Sequence, residues 1–336
     1  MVSYSDIKSN NESLAASGGG PVVAFIGGTA GIGHEALLAL LRYTATPTVY
    51  FVGRGESRLN SQIASAQKLN PNAKLIPILA NDLTLVKDAQ NAADQIAAQA
   101  HHLDLLITSQ GYLSFSSKPD FSPEGLDRIT SIRYHARLRF VITLLPLLRK
   151  APSPRVVSVL ASGKEGPLDL EDLGMTKTGN YSIGAAAGAA VSMTTLTFEE
   201  LSKQKENEKI VFIHIFPGPV STGLKAVGGP LPLTFLWNIL LKPFYWLIAY
   251  TPREAGERVL FAATNGRFRK LGPGVSGEGT LIQEGSNGHQ GSGVYLVQGD
   301  SSVVPANAAL KKLQGEGAGA KVLQYTLDEF ERISKL

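Results

Sequence analysis

The run Ile26 to Gly33, Ile-Gly-Gly-Thr-Ala-Gly-Ile-Gly, constrains this chain more than any other stretch, because an apolar strand leads into it and an apolar helix leaves it. The strand is Pro21 to Ile26; the helix begins near Ile32 and carries Ala36, Leu37, Leu38, Leu40 and Leu41. At such a junction one glycine permits the tight turn, another lets backbone approach a phosphate, and a third lets helix and strand pack closely. The helix N-terminus supplies free N–H groups. The run therefore predicts a nucleotide pyrophosphate cradle built from Gly27, Thr29, Gly31, Ile32 and Gly33, against the alternative of a glycine-rich structural turn.

The spacing Gly27, Gly31, Gly33 differs from the usual dinucleotide fingerprint and resembles the glycine motif of the short-chain dehydrogenase/reductase family. Further along, Pro217-Gly218-Pro219-Val220-Ser221-Thr222 follows the strand Ile210 to Phe216 and is similar to that family's Pro-Gly-x-Val-x-Thr motif at the nicotinamide end. The resemblance runs from about Pro21 to Thr264 and implies a Rossmann-type α/β fold, a doubly wound parallel sheet with helices on both faces. It also implies a nicotinamide cofactor contacted by Pro217, Gly218, Val220 and Thr222. The strand Val49 to Val52 ends in Gly53-Arg54, where NAD-selective members carry an acid. A carboxylate there binds the ribose 2'-hydroxyl and repels a 2'-phosphate, whereas a guanidinium pairs with that phosphate, so Arg54 favours NADP, with Arg58 as a second candidate and a solvated loop arginine as the alternative. Asp82, after the strand Lys74 to Leu79, matches the family's aspartate beside the adenine, or else caps the helix that follows. After the strand Leu103 to Thr108, Ser109-Gln110-Gly111 stands where the family has Asn-Ala-Gly, and only Gly111 is kept.

Composition agrees with one domain. The chain has 336 residues, 43% of them hydrophobic, enough to bury a full core, and strands alternate with long helices. Zero cysteines exclude disulfides, thiolate zinc sites and a cysteine nucleophile. The six histidines lack ligand spacing, so no metal site is expected, and no elbow motif points to a nucleophilic triad. A net charge of +4 on scattered Lys and Arg, without aromatic interleaving, argues against nucleic acid. No signal peptide precedes the first strand. Residues 1–20, polar and glycine-rich, read as a loose tail before a single domain over 21–336.

The chemical end departs from the family. Relatives use Asn, Ser, Tyr and Lys: the tyrosine moves the proton, the serine holds the substrate oxygen, and the lysine holds the ribose and lowers the tyrosine's pKa. Tyr181 fits the tyrosine at the head of the helix Ser182 to Lys203, but the lysine position holds Ala185, and no Lys or Arg occurs between Lys177 and Lys203. Without a nearby cation a tyrosine stays near about 10 and is a poor proton shuttle at neutral pH. Ser162, one place late after the strand Arg155 to Leu160, is the serine candidate. Counting back from Leu145-Pro146 along the helix Ile129 to Leu148 places Arg133 where the asparagine stands. Arg133 either lines the site with Arg137 and His135, in part replacing the lysine, or is a structural partner of Asp169 or Asp172. The inserted stretch Lys164 to Gly179, with Asp169, Glu171 and Asp172, either edges the substrate pocket or is a solvated surface loop.

Two chemistries suit these losses. Hydride delivery to an iminium ion needs no proton donor, and a carboxylate such as Asp169 would then steady the cation. Carbonyl reduction would instead use Tyr181 as acid, with Arg133 or Ser162 assisting. The pattern Val156 to Gly166 further resembles short-chain reductase-like proteins of fungal secondary-metabolite clusters. Some of those are repurposed for a non-redox step such as a Diels-Alder cyclisation, or for binding, with the cofactor retained and Arg and Asp groups promoting reaction.

The aromatic and aliphatic stretch Leu231 to Tyr250 is broken by Asn238, Lys242 and Pro243 into pieces too short to span a bilayer. In the resembling family this region, about 225–250, covers the substrate, so Trp237, Phe244, Tyr245 and Trp246 suggest a bulky apolar metabolite. Membrane-surface contact or a homodimer interface are the alternatives, and many relatives pair through their fourth and fifth helices. The glycine-rich Gly272 to Gly293 reads as a mobile loop. In the last helix Leu327, Phe330, Ile333 and Leu336 form a packing stripe. The chain closes on Ser334-Lys335-Leu336, a tripeptide that an import receptor reads as a peroxisomal address. The expected location is thus the peroxisome, with the cytoplasm as alternative.

Overall fold

A computed structural model describes residues 1–17, 20–221, 226–227, 249–272 and 281–336. The strands in chain order are β1 (Val22–Ile26), β2 (Thr48–Gly53), β3 (Lys74–Leu79), β4 (Leu105–Thr108), β5 (Leu113–Ser114), β6 (Arg155–Val159), β7 (Val211–Ile215), β8 (Ala226–Val227) and β9 (Val294–Val297). Seven of them form one sheet in the order β3-β2-β1-β4-β6-β7-β9, every pair parallel. Strands such as Val-Phe-Ile-His-Ile and, at one edge, Val-Tyr-Leu-Val are buried on both faces, as a covered parallel sheet requires.

Alternate residues of one strand feed two separate cores. Val23 and Phe25 join one with α1 (Tyr4–Ser13), α2 (Gly31–Tyr43), α3 (Glu56–Leu69) and α8 (Pro252–Thr264), whereas Ala24 and Ile26 join the other. That second core takes α4 (Val86–Gln99), α6 (Ala136–Leu148), α7 (Ile183–Lys203), α9 (Ala308–Gly315) and α10 (Ala318–Ser334), and a short helix, α5 (Arg128–Thr130), leads into α6. The expected doubly wound architecture is therefore present, and every strand of the main sheet ends on the same edge, where α/β folds bind ligands.

Three expectations from the sequence change. Residues 1–17 are no loose tail: Ser3 caps α1 by accepting from Asp6 N, Ile7 and Asn11 are buried, and Asn11 Nδ2 donates to the Glu257 carbonyl at 2.9 Å. Polar composition hid this, because the docking rests on two buried apolar residues, Val2 and Ile7, and on a hydrogen bond to a helix some 246 residues away. In α10 the buried stripe is Ala318, Val322, Thr326, Phe330 and Ile333, while Leu327 is 39% and Leu336 64% exposed. Steps of three fall about 60° short of a full turn each time, so a three-spaced row drifts off the packed face. Ser334 and Lys335 are also exposed. The described part of the glycine-rich stretch, 281–293, folds back on itself through Gly285 N to His289 O and Gly291 N to Gln283 O. The aromatic stretch with Trp237, Phe244, Tyr245 and Trp246 lies outside the described residues, as does Thr222; among the described residues no helix is long and apolar enough to cross a membrane.

Glu257 ties α1 to the fold. Its side chain is fully buried and accepts from Tyr4 OH at 2.5 Å, Tyr43 OH at 3.2 Å and Arg253 Nε at 3.1 Å, with Arg42 at 3.5 Å. These donors hold its carboxyl below the ordinary glutamate range against the opposing effect of burial. Glu257→Ala removes the shared acceptor of two tyrosines and two arginines and is expected to cost about 3 kcal/mol in urea unfolding; a loss under about 1 kcal/mol would show that α1 docks without it.

Candidate active site

The cofactor end is a backbone device. Gly27 has φ +88° and a Cβ there would lie 2.5 Å from Gln110 N; a Cβ at Gly33 would lie 2.0 Å from Ser109 Oγ. The glycine loop after β1 thus packs directly on the loop after β4, and Ser109 Oγ donates to the Gly27 carbonyl at 3.2 Å. Helix α2 starts at Gly31 with Ala30 as its N-cap and no side-chain cap, which leaves its first N–H groups free for an anion. Arg58 Nη2 donates to the Thr29 carbonyl at 3.4 Å, Gln62 Nε2 donates to the same oxygen, and Arg54 is exposed beside them at the end of β2. A dinucleotide fits this arrangement, with its pyrophosphate on the α2 N-terminus and its ribose on the side of Arg54 and Arg58.

Asp82 does not cap α4. Its Oδ1 accepts from Thr84 N and Thr84 Oγ1, its Oδ2 pairs with Arg128 at 3.2 Å, and these partners together with Arg54 hold its pKa below the usual aspartate value despite burial. The first turn of α4 is capped from outside by Glu124, whose carboxylate accepts from Val86 N and Lys87 N. Asp82 thereby stays at the end of β3 beside Arg54, the place expected for the adenine. Gly111 lies over Arg137, whose Nη2 would be 3.6 Å from a Cβ at that position. Gly218 has φ +72° against the Tyr250 ring, and Val220 is buried and bridged to Tyr250. The pairing of β8 with β5 then draws the chain after the Pro217-Gly218 turn over the loop that carries Tyr112.

At the chemical end, Tyr181 stands just before the α7 N-cap Ser182 and is half-buried. Burial and the negative charges of Asp127 and Asp120 outweigh Arg133 and push its phenol up to about 12, above the value near 10 expected from the missing lysine alone. Arg133 lies in a π-helical turn, Ser131–His135, that joins α5 to α6. Such turns push one residue outward and are frequent at functional sites. The Arg133 guanidinium donates to the Tyr112 carbonyl at 2.9 Å, and the charges of Tyr112, Tyr181 and Asp127 act on it. Tyr112, Arg133 and Tyr181 therefore form one cluster. Tyr112 was not singled out from the sequence, although it directly follows Gly111. Arg137, one turn on and fully buried, donates to Ser158 Oγ at 3.0 Å, to the Val159 carbonyl at 2.8 Å and to the Gln110 carbonyl.

Two candidates leave the cluster. Ser162 is buried with both faces of its hydroxyl used: Oγ donates to the Val297 carbonyl at 2.7 Å and accepts from Phe216 N at 3.0 Å. It staples β6, β7 and β9 instead of facing a substrate, because its position past the end of β6 turns it under the sheet edge. Asp169 pairs with Lys177 at 3.6 Å and accepts from Asn180 Nδ2 at 3.1 Å, both within its own inserted stretch and the residue that follows it. Asp172 accepts from Thr176, Lys177 N and Asn180, so neither acid partners Arg133. His135 is buried between the Tyr134 and Tyr325 rings, with burial pulling it down to about 3.

A buried relay holds the turn after β6. Ala161 N donates to His214 Nε2 at 3.3 Å, His214 Nδ1 meets Thr195 Oγ1 at 2.9 Å, and Thr195 Oγ1 donates to Glu165 Oε1 at 3.0 Å. Burial holds His214 at about 3, so the ring is neutral with its proton on Nδ1. The relay fixes the Ala161–Glu165 turn as a rigid wall beside Tyr181's helix. No cluster of three or more metal-ligating side chains occurs among the described residues.

The short chain dehydrogenase family model matches residues 21–228. The oxidoreductase AN1596 of Emericella nidulans is 32% identical over 339 residues, 99% of this chain and 98% of its own length. The oxidoreductase andH of Emericella variicolor is 34% identical over 345 residues, with the same coverage. A short-chain dehydrogenase from Shigella flexneri solved with NADP superposes with a TM-score of 0.53 at 18% identity over 73% of this chain and 91% of that one, a likeness of fold. With the parallel sheet, the glycine cradle and the Pro217-Gly218 turn at one edge, the chain belongs to the short-chain dehydrogenase family of oxidoreductases.

Proposed function

We propose that this protein is an NADPH-dependent carbonyl reductase acting on a bulky, largely apolar metabolite. The observation that carries the reading is the cluster of Tyr181, Arg133 and Tyr112 at the same sheet edge as the glycine cradle. Arg54 and Arg58 support the phosphorylated cofactor. When bound, NADPH supplies the hydride. Tyr181 then gives its phenolic proton to the oxygen that gains charge, and Arg133 offers N–H donors to the same negative charge. A phenol held near 12 is a sufficient acid for an alkoxide and a very poor base, because at neutral pH only about one molecule in 10⁵ carries the phenolate. The site therefore runs as a reductase. The iminium reading loses its footing here: Asp169 is engaged elsewhere, and the cationic Arg133 repels a cationic substrate.

Helix α10 packs along α7 in the same core and would compete with a second copy for that face of α7.

The test is NADPH oxidation on a panel of bulky ketones, aldehydes and cyclic iminium ions. Turnover on carbonyls is expected, and Tyr181→Phe is expected to lower kcat by about 10²–10⁴ with NADPH affinity retained. Binding without oxidation across the panel would overturn the reading in favour of a non-redox scaffold that retains its cofactor. Ketone reduction should be flat between about pH 6 and 9, whereas oxidation of the product alcohol, which needs the phenolate, should rise about tenfold per pH unit. A reduction rate that falls with a midpoint near 7 would place another group in the acid role. Replacing Arg54 by aspartate should cut the preference for NADPH over NADH at least about tenfold in fluorescence titration, since a charge-assisted pair with the 2'-phosphate is lost; an unchanged ratio would assign that phosphate to other residues.

A further inference from the structure

The cluster at the substrate end has an unbalanced charge. Arg133 and Arg137 lie four residues apart, and neither forms an ion pair among the described residues. Arg133 gives one N–H to the Tyr112 carbonyl, and fully buried Arg137 gives three to neutral oxygens while its Nε has no partner. Both guanidinium groups are cations at neutral pH. Buried charge is normally paired, so a second cation here without a carboxylate is costly unless a ligand supplies the anion.

The neighbouring carboxylates are all committed. Asp127 accepts from Asp120 N, Thr130 N and Thr130 Oγ1; Asp120 and Asp82 pair with Arg128. Asp169 pairs with Lys177, and Glu171 with Lys321. Glu165 accepts from Thr195 and Gly163 N. Among these carboxylates only Asp127 acts on Arg133, and its oxygens are taken by Asp120 N, Thr130 N and Thr130 Oγ1, so two guanidinium groups share the field of one carboxylate and neither is ion-paired among the described residues.

We propose that the substrate carries an anionic oxygen, a carboxylate or an acidic enol ionised at neutral pH, near the carbonyl that is reduced, and that Arg133 pairs with it. This deepens the reductase reading and rests on the same cluster being the substrate end. The anionic group is a handle and is unchanged by the reaction: hydride goes to the carbonyl carbon, a proton to its oxygen. The cofactor also carries anionic oxygens, but its phosphates belong at Gly27–Gly33 and Arg54, so the test is made with that end saturated. The Arg133 guanidinium is planar and matches two carboxylate oxygens at once, a fit that a lysine ammonium lacks.

The experiment is calorimetric titration of the protein saturated with NADP⁺, using benzoylformate and its uncharged methyl ester. The acid is expected to bind at least about tenfold more tightly than the ester, with Arg133→Gln bringing the two within about twofold and Arg133→Lys restoring part of the preference. Equal affinity for acid and ester, no binding of either, or a preference that survives in Arg133→Gln would overturn the proposal. The readout needs no turnover. Acid binding through Arg133 with no NADPH oxidation would sink the reductase reading alone, whereas reduction of ketones without any acid preference would sink this one alone.

Discussion

The close approach of two backbones, Gly27 against Ser109 and Gln110, is the contact on which the site depends. It holds only because Gly27 and Gly33 have no side chains, since a Cβ at either would meet atoms at 2.5 Å or less. With the loops in contact, the uncapped start of α2 faces the same opening as the chain after β4. Arg137 then extends the junction sideways, holding the Gln110 carbonyl at the end of β4 to Ser158 and Val159 at the end of β6. Three strand ends become one rigid rim, and the π-helical turn above Arg137 directs Arg133 to Tyr112.

That rim sets the chemistry by charge. No Lys or Arg lies between Lys177 and Lys203, and the cation that acts on Tyr181 is Arg133, from the turn before α6. Arg133 lowers the phenol less than burial, Asp127, Asp120 and Tyr112 raise it. A tyrosine so placed keeps its proton at neutral pH, which is why the proposed direction is reduction. Arg133 sets a fixed positive field beside Tyr181, and under the proposal above that field sorts substrates by charge as well as by shape.

Local features of the site were legible in the sequence. The glycine cradle, Arg54, the Pro217-Gly218 turn and Tyr181 at the head of α7 each depend on neighbours within a few residues, and each lies where its pattern indicated. Arg133 lies in the π-helical turn that leads into α6, beside Tyr112. Ser162 failed because a shift of one residue at the end of a strand decides between an outward hydroxyl and a buried staple. Asp169 looked reactive in an insertion whose acids are in fact bonded to that insertion's own Lys177 and Asn180. Residues paired across the chain gave no local signal at all: Glu124 caps α4 from 38 residues away, and Glu257 receives Tyr4 from 253 away.

The central claim is that this edge of the sheet transfers a hydride to a carbonyl with Tyr181 in its neutral form. The most direct measurement supplies NADPH deuterated at the transferable C4 position together with a bulky keto acid and locates the label in the product by mass spectrometry. The account predicts deuterium on the new carbinol carbon and solvent-derived hydrogen on its oxygen. Product without the label, or labelled cofactor left intact beside a rearranged substrate, would contradict it.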